Sequence, residues 1–389
     1  MPATTMDLLD SIGELSVDQF MRRHWQRAPL LARGAFPGLR TPITPARLFE
    51  LAARDDVESR LVSGLDGRWT LRHGPFDRLP ARKRPGWTLL VQGTDLHDDT
   101  LHALMQRFRF IPDARVDDLM VSYASDGGGV GPHIDAYDVF LLQVHGRRRW
   151  RIAPPGDATL VPGMPLKLLA RFEPTEDWVL EPGDMLYLPP GWGHDGVAMG
   201  ECMTCSIGFR APSRHEFLAA FLAAAADAPG GPDHRFTDRG RRAEPAPGRL
   251  PADLVDRLRG WASDWRPSRR DVDRFIGQWL TEPKATVWFE PASPPATPAG
   301  FVADASAQGV RLDRRSRMAW SGGRSFVNGE QVEAPPGTAR WLRRLADRRF
   351  LSPAECLRAL ADPQLTAILR AWHDAGWLRI GAAPPAKEP

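Results

Sequence analysis

Two patterns of apolar residues alternate along the chain and divide it into regions. Up to about residue 60 the apolar positions recur at helical spacing, and Ser16 with Gln19 forms a capping box that predicts a helix start. From 68 to 210, short apolar runs such as WTLLVQ, VFLLQV and DMLYLPP are separated by glycine and proline turns. Short strands at this spacing are typical of an all-β sandwich or barrel, so we expect an α+β protein with a β core.

Helical spacing returns after the β region. It predicts helices over 215–228, 252–264 and 269–281, with a polar, arginine-rich and mobile connection over 229–251. The two later helices carry Trp261, Trp265 and Trp279. So much tryptophan on short helices indicates packing against a large surface, either another subunit or the chain's own β domain.

The last hundred residues have the pattern of a small mixed domain. A proline-rich linker over 282–300 precedes strands with a turn at Asn328-Gly329. Helices are predicted near 337–347, 352–361 and 363–375. Helices combined with a short strand pair are typical of a winged helix. The predicted units are therefore 1–215, 216–281 and 282–389.

Composition narrows the class of protein. The 389 residues are 42% hydrophobic and 25% charged, with a net charge of +3 carried mainly by arginine, which suits carboxylate or phosphate contacts. Three cysteines are too few for a disulfide framework. The chain has no run of eighteen apolar residues, and its first residues lack the apolar segment of a signal peptide. We therefore expect a cytoplasmic protein that does not cross a membrane.

A histidine and an aspartate two positions apart follow the glycine-rich segment GGGVGP. Residues i and i+2 of a strand face the same way, so His133 and Asp135 point together, as two ligands of one ion must. His194 follows the segment LEPGDMLYLPPGWG, in which turns deliver it to the end of an apolar strand. Two histidines and one carboxylate are the ligand set of non-haem Fe(II) oxygenases, with part of the coordination sphere left open. The glycines are expected to let the backbone lie close to the metal.

Two other groups are weaker metal ligands. His145 lies beside Gly146 at a strand end and is expected to face solvent. Cys202 and Cys205 are three positions apart in a strand and face opposite ways, which argues against zinc. Met203 is then expected on the interior face, as a possible wall of the pocket.

The segment RRRWRI places one charge on an apolar strand face. Arg148 shares its face with Trp150 and Ile152, whereas the flanking arginines point the other way. A buried guanidinium needs an anion, and a dicarboxylate that chelates the metal at one end satisfies it at the other. That description fits 2-oxoglutarate. Ser122 carries a hydroxyl that is a candidate to bind the same co-substrate.

These segments resemble a known family. The stretches LLVQGTDL, DDLMVSYASDGGGVGPHIDAYDVFLLQVHGRRRWRI, LEPGDMLYLPPGWGHDGV and SIGFRAPSR are similar to the bacterial Jumonji C ribosomal oxygenases, a family that includes arginine hydroxylases of large-subunit ribosomal protein sixteen. The resemblance implies a double-stranded β-helix of the cupin or jelly-roll type. It also implies Fe(II) on His133, Asp135 and His194, 2-oxoglutarate on Arg148 near Ser122 and Met203, and dioxygen as the second co-substrate.

The family also implies partners for the rest of the chain. Residues 216–281 would be a helical dimerisation region, 282–389 a winged helix for protein contacts, and the substrate an arginine of a ribosomal protein. Tyr137 and Asp138, just after Asp135, are candidates to contact that substrate. The same chemistry on another residue, such as a histidine of a different ribosomal protein, is the main alternative.

Two other classes of protein are alternatives to an oxygenase. A cupin-type hydrolase or isomerase would need a further carboxylate or histidine at the metal, and Arg148 argues against it. A winged-helix transcription factor with a metal-sensing β domain would need a basic recognition helix, whereas the helix over 363–375 carries one arginine. We therefore expect no sequence-specific contact with nucleic acid.

Overall fold

An antiparallel sheet of ten strands organises the N-terminal part of the described chain. The structure, a computed structural model, describes residues 8–65, 67–227, 235–237, 239, 250–264 and 266–381. The strands of this part are β1 (Ser11–Ile12), β2 (Leu15–Ser16), β3 (Leu30–Ala32), β4 (Ser59–Leu65), β5 (Arg68–His73), β6 (Trp87–Val91), β7 (Val116–Ala124), β8 (His133–Ile134), β9 (Asp138–Ala153), β10 (Glu176–Leu180), β11 (Met185–Leu188) and β12 (Gly193–Phe209). Its helices are α1 (Val17–Arg23), α2 (Pro45–Ala52) and α3 (Asp99–Gln106).

The long strands β9 and β12 give the sheet its shape. The strand order is β3-β11-β9-β12-β7-β6-β4-β5, with β10 paired to β9 and β8 paired to β12. The β9–β12 register breaks between Met199 and Met203, where Gly146 (φ 60°) and Gly200 (φ 82°) bend the two strands. A Cβ on Gly146 would lie 2.0 Å from the Glu201 carbonyl oxygen, so glycine is required at this corner. The bent ladder encloses an interior, which confirms the predicted β sandwich or barrel.

The main core lies between this sheet and the N-terminal helices. The predicted capping box at Ser16 and Gln19 is present, and Phe20 of α1 is fully buried. Its ring packs edge-on against Tyr187 at a centroid distance of 4.9 Å. The sheet begins earlier than the sequence predicted, because β3 lies in the region expected to be helical and β4 begins at the end of that region. Each is short or flanked by helix, so its period-2 signal is weak.

Three helices follow the sheet: α4 (Arg214–Asp227), α5 (Ala252–Asp264) and α6 (Arg269–Thr281). They confirm the helices predicted here. Phe221 of α4 packs at a tilt against Phe275 of α6, with centroids 5.1 Å apart. Most of the connection predicted over 229–251, and Trp265, lie outside the described residues. No helix in the described ranges is long and apolar enough to cross a bilayer.

The C-terminal part has a core of its own. Its elements are α7 (Pro298–Gln308), β13 (Val310–Leu312), β14 (Met318–Ser321), β15 (Arg324–Val327), β16 (Glu330–Val332), α8 (Ala339–Arg348), β17 (Phe350–Leu351), α9 (Pro353–Ala359), α10 (Pro363–Asp374) and β18 (Leu378–Ile380). The predicted turn is present, with Asn328 and Gly329 at φ 47° and 84°. Helix α7 was not predicted. Its buried face is Phe301 and Ala305, too small an apolar stripe to stand out from the proline-rich linker before it.

A buried acidic pair ties this linker to the β domain. Asp118 accepts hydrogen bonds from the Gly93 amide (3.2 Å) and from Lys284 Nζ (3.0 Å). The neighbouring Asp95 is 2% exposed and accepts from the Leu119 amide at 2.9 Å. Burial, reinforced by the Asp118 carboxylate, raises the pKa of Asp95 to about 7.

This pKa predicts how stability depends on pH. The folded pKa lies above the ordinary value of 3.8, so the native state binds the proton more tightly and stability falls as pH rises from about 4 to 7. Asp95→Asn keeps an oxygen for the Leu119 amide and does not ionise. We expect the variant to be more stable than the native chain by about 2–4 kcal/mol above pH 8, with the difference shrinking toward pH 4.

Urea titrations at pH 4, 6 and 8 measure this difference. The exposed Asp55→Asn serves as the control and should show no such trend. A constant difference between Asp95→Asn and the native chain at all three pH values would contradict the prediction.

Candidate metal centre

Three side chains meet at one end of the β-domain interior. His133, Asp135 and His194 each bring one ligand atom within 4.8 Å of the others. The two imidazole rings have centroids 4.2 Å apart, and Asp135 Oδ2 lies 3.6 Å from His194 Nε2. That last distance is too long for a hydrogen bond. It is close to the separation of roughly 3 Å that two ligands of one metal ion adopt at bond lengths near 2.1 Å.

Strand pairing brings these residues together. Strand β8 pairs antiparallel with the start of β12, which places His133 directly opposite His194. The turn before β12 closes over the third ligand, because the Gly191 amide donates to the Asp135 carbonyl at 2.8 Å. The sequence therefore predicted the meeting of all three side chains, which lie 61 residues apart at most.

Hydrogen bonds to the backbone orient both imidazoles toward the shared space. His133 Nδ1 donates to the Gly131 carbonyl (2.9 Å) and His194 Nδ1 to the Trp192 carbonyl (3.0 Å). Each Nε2 therefore keeps its lone pair free for a metal. Burial, together with the nearby His133, lowers the pKa of His194 to about 4, so the ring is neutral at physiological pH. Two oriented imidazoles and a carboxylate suit a divalent cation such as Fe(II).

Arg148 lies on the same interior face, farther along the ladder. In the β9–β12 register His194 is opposite Ile152, and Arg148 is opposite Ala198. His194 and Ala198 are four residues apart on β12, so their Cα atoms are about 13 Å apart. Arg148 is 3% exposed. Its Nη1 donates to Ser122 Oγ (3.0 Å) and Thr204 Oγ1 (3.4 Å), and its Nη2 donates to the Gly196 carbonyl (3.2 Å).

Within the described residues no carboxylate lies within 4.0 Å of this guanidinium. Its neighbours are neutral oxygens and the Trp150 ring, 5.1 Å away, and its Nε is buried without a hydrogen-bond partner. A buried, unpaired charge is costly, so the site fits an anion that approaches from the interior. A dicarboxylate that reaches from the metal to Arg148 meets both requirements.

Close backbone packing leaves room for Arg148. A Cβ on Gly196 would lie 2.9 Å from Arg148 Nε and 2.6 Å from the Trp150 ring. The predicted glycine segment packs here, because a Cβ on Gly129 would lie 2.6 Å from the Gly196 carbonyl oxygen. The Gly127 amide also donates to Ala198 at 3.0 Å. Gly127 and Gly129 therefore hold their loop against β12 beside Arg148. The sequence had predicted this close backbone packing beside the metal instead.

One predicted pocket residue, Met203, lies elsewhere. Met203 belongs to the main core, because it pairs with Tyr123 on the face of the sheet turned toward the helices. The residue of this segment that does reach Arg148 is the next one, Thr204, on the other face of β12. Its register partner Ser122 could have identified it, since residues paired across strands share a face.

The two candidate substrate residues differ in environment. Asp138 is fully buried and accepts from Tyr187 Oη (2.7 Å), Gln26 Nε2 (2.9 Å) and Arg115 (3.0 Å), so it is a structural carboxylate and cannot contact an incoming chain. Tyr137 is half-buried, and burial, together with the Asp135 carboxylate, raises the pKa of its phenol. In sequence, Tyr137 follows the ligand Asp135 by two residues.

The outward-facing residues of these strands behave as predicted. Arg149 pairs with Asp177 at the surface, and the His145 side chain is 47% exposed.

Cys202 and Cys205 are buried on opposite faces of β12, in different apolar clusters. Among the described residues, neither cysteine belongs to a group that could hold a metal.

Comparisons with known proteins cover both halves of the chain. Residues 103–217 match the family model described as JmjC domain, and 262–379 match the ROXA-like winged helix. The ribosomal protein uL16 3-hydroxylase of Escherichia coli K12 is 36% identical over 93% of this chain and 97% of its own length. The bifunctional lysine-specific demethylase and histidyl-hydroxylase NO66 of Drosophila persimilis is 28% identical over 49% of this chain and 29% of its own.

Solved structures give the same result. The ribosomal oxygenase YcfD from Escherichia coli, in complex with cobalt and 2-oxoglutarate, superposes with a TM-score of 0.79. It is 32% identical and covers 95% of this chain and 99% of its own.

The unpaired guanidinium of Arg148 leads to a prediction about 2-oxoglutarate binding. Arg148→Gln should weaken 2-oxoglutarate binding to the Co(II)-loaded protein roughly 100-fold, because a buried charge partner is lost. Calorimetric titration measures the dissociation constant. Arg149→Gln, on the outward face of the same strand, should bind as the native chain does. A change below threefold in Arg148→Gln would show that the dicarboxylate binds elsewhere.

Proposed function

Because the chain belongs to the JmjC-domain family of ribosomal oxygenases, we propose that it hydroxylates an arginine side chain of ribosomal protein uL16. The protein is an Fe(II)- and 2-oxoglutarate-dependent dioxygenase that modifies a ribosomal protein. Membership in this family decides against the non-redox cupin enzyme and the metal-sensing transcription factor. The observation that carries the proposal is the similarity to the uL16 hydroxylase over nearly the whole of both chains.

The roles of the site residues follow from their geometry. His133 and His194, each through one imidazole nitrogen, and Asp135, through a carboxylate oxygen, would hold Fe(II). Arg148 and Ser122 bind the far carboxylate of the co-substrate. When bound, the metal and 2-oxoglutarate together supply the activated oxygen that replaces a C–H bond with C–OH, with succinate and carbon dioxide as the other products.

Trp150 links the two parts of the pocket. Its ring centroid lies 6.0 Å from that of His194, and the ring lies 5.1 Å from the Arg148 guanidinium. The indole therefore forms an apolar wall of the interior beside both the metal ligands and the arginine. Excluding water strengthens the pairing of Arg148 with a carboxylate.

The substrate approaches from the side of Tyr137, which lies next to Asp135 near the metal. An aromatic ring at this position offers a face on which a guanidinium can stack. The second candidate, a histidine of another ribosomal protein, is favoured by the partial similarity to a histidyl-hydroxylase. The uL16 substrate ranks first because that relative is matched along 97% of its length, against 29% for the other.

Mass spectrometry of peptides tests the substrate. We expect a gain of one oxygen atom on an arginine-containing uL16 peptide incubated with the protein, Fe(II), 2-oxoglutarate and dioxygen. His133→Ala should lose at least 99% of this activity, because one metal ligand is gone, and the exposed His145→Ala should keep it. Succinate formation without a modified uL16 peptide, but with a modified histidine peptide from another ribosomal protein, would select the alternative.

We further propose that the chain divides into a catalytic unit (1–215), a helical dimerisation region (216–281) and a winged helix (282–389), and that it forms a homodimer in the cytoplasm. Helices α4 and α5 support this, because Leu222, Leu258 and Trp261 are exposed to solvent in the single chain. Helix α6 connects the parts: it packs on α4, and a Cβ on Gly277 would lie 2.4 Å from the Phe326 ring of β15.

Light scattering coupled to size exclusion tests the dimer. The native chain should elute at twice its 43.2 kDa mass, and the double variant Leu218→Glu/Leu222→Glu at 43.2 kDa, because charges replace apolar surface. Leu357→Glu, which changes a still more exposed leucine on α9, is the control and should remain dimeric. A native chain that elutes as a monomer at micromolar concentration would rule out the dimer.

A further inference from the structure

A cavity of about 60 Å³ lies between the β domain and the C-terminal part, away from the metal centre. Helix α3 and the segment 113–117 form one wall, and the segment 314–319 with Arg349 forms the other. A site of this size holds a few water molecules or one small polyatomic ion. Pockets for larger organic ligands measure roughly 300–1,000 Å³.

The charges around this cavity are strongly unbalanced. Five arginines line it, but only two carboxylates, Asp113 and Asp117. Both carboxylates are already engaged: Arg109 binds Asp113 through two nitrogens at 2.7 Å, and Lys284 binds Asp117 at 3.1 Å. The lining arginines are Arg109, Arg314, Arg315, Arg317 and Arg349.

Two of these arginines have no carboxylate partner within 4.0 Å in the described part of the chain. Arg317 Nη2 donates to the carbonyls of Val116 (3.2 Å) and Asp117 (3.0 Å), and Arg349 Nη2 donates to the carbonyls of Asp313 and Ser316. These neutral carbonyls, which belong to the β domain for Arg317 and to the C-terminal part for Arg349, position the guanidiniums without balancing their charge. Burial lowers the pKa of both side chains to about 10, which reflects the cost of leaving these cations without a counter-ion.

Donors at the cavity are also left without acceptors. Arg317 Nη1 and Arg315 Nε are buried and make no hydrogen bond, and the nearest carboxylate oxygen to Arg315 Nε, on Asp313, lies 3.6 Å away. His102 Nδ1 in the opposite wall is also buried without a partner. Unsatisfied buried donors of this kind are rare, because each costs about 1–3 kcal/mol or more.

We propose that this cavity is a binding site for one small tetrahedral oxyanion, inorganic phosphate, which joins the C-terminal part to the β domain. Arginine forks match phosphate oxygens, and the cavity is too small for a nucleotide or a peptide. Arg315 and Arg317 approach the ion from the C-terminal part, opposite the β-domain wall that helix α3 forms. Binding requires no turnover, so this site is independent of the proposed function.

Thermal unfolding and calorimetric titration test the site on the full chain. With sodium phosphate added at constant ionic strength, the native protein should show a saturable rise in Tm of a few degrees and a measurable dissociation constant. Arg317→Gln should lose both responses. Arg324→Gln, an arginine of strand β15 outside the cavity, should keep them.

Further variants separate this site from the co-substrate pocket. Arg148→Gln should retain the phosphate response, because Arg148 lies in the co-substrate pocket and does not line this cavity. Loss of the response in Arg148→Gln, with retention in Arg317→Gln, would overturn the proposal and place the ion in the co-substrate pocket. If Arg317→Gln does not fold, Arg315→Gln makes the same test by removing the unsatisfied Nε.

The null outcomes are equally clear. Equal Tm values in phosphate and chloride, with no titration heat, would mean that the cavity holds only water and would overturn the proposal. A rise that does not saturate, or that is equal in native and Arg317→Gln proteins, would also overturn it, because it would reflect general ionic effects.

Discussion

The site depends on the pairing of β12 with two partners at once. At its start His194 is opposite His133 of β8 on one side and Ile152 of β9 on the other. The first pairing joins the metal ligands, and the second sets the spacing between His194 and Arg148. Because both registers belong to one strand, the metal end and the carboxylate end of the co-substrate pocket are held at a constant separation. A shift of one residue would turn Arg148 out of the interior.

The co-substrate pocket and the proposed phosphate cavity hold their arginines in the same way. Arg148 is held by neutral oxygens of Ser122, Thr204 and Gly196, and Arg317 is held by backbone carbonyls. In each case the donors are fixed in place, but the charge is left for a ligand to balance. By contrast, the buried carboxylate of Asp138 has a cationic partner in Arg115.

Much of the site could be predicted from local spacing. His133 and Asp135 are two apart in a strand, and Arg148 interrupts an apolar face, so their directions follow from the period of a strand. Thr204 could not be assigned to its face in this way, because the register break near Gly200 obscures the phase of β12. Asp138 was misjudged because its partners, Gln26, Arg115 and Tyr187, are distant in sequence. Helix α7 was missed because its buried face is one phenylalanine and one alanine.

The sequence by itself determined the class of the β core, the three metal ligands and the arginine that faces them, since each rests on periodicity or on a turn within a few residues. The tertiary structure alone decided which hydroxyls surround Arg148, how α6 contacts both α4 and β15, and which arginines meet in the interdomain cavity. The physical reason is that a strand's period specifies direction locally, whereas the charge balance of a buried site depends on residues that folding brings together from distant parts of the chain.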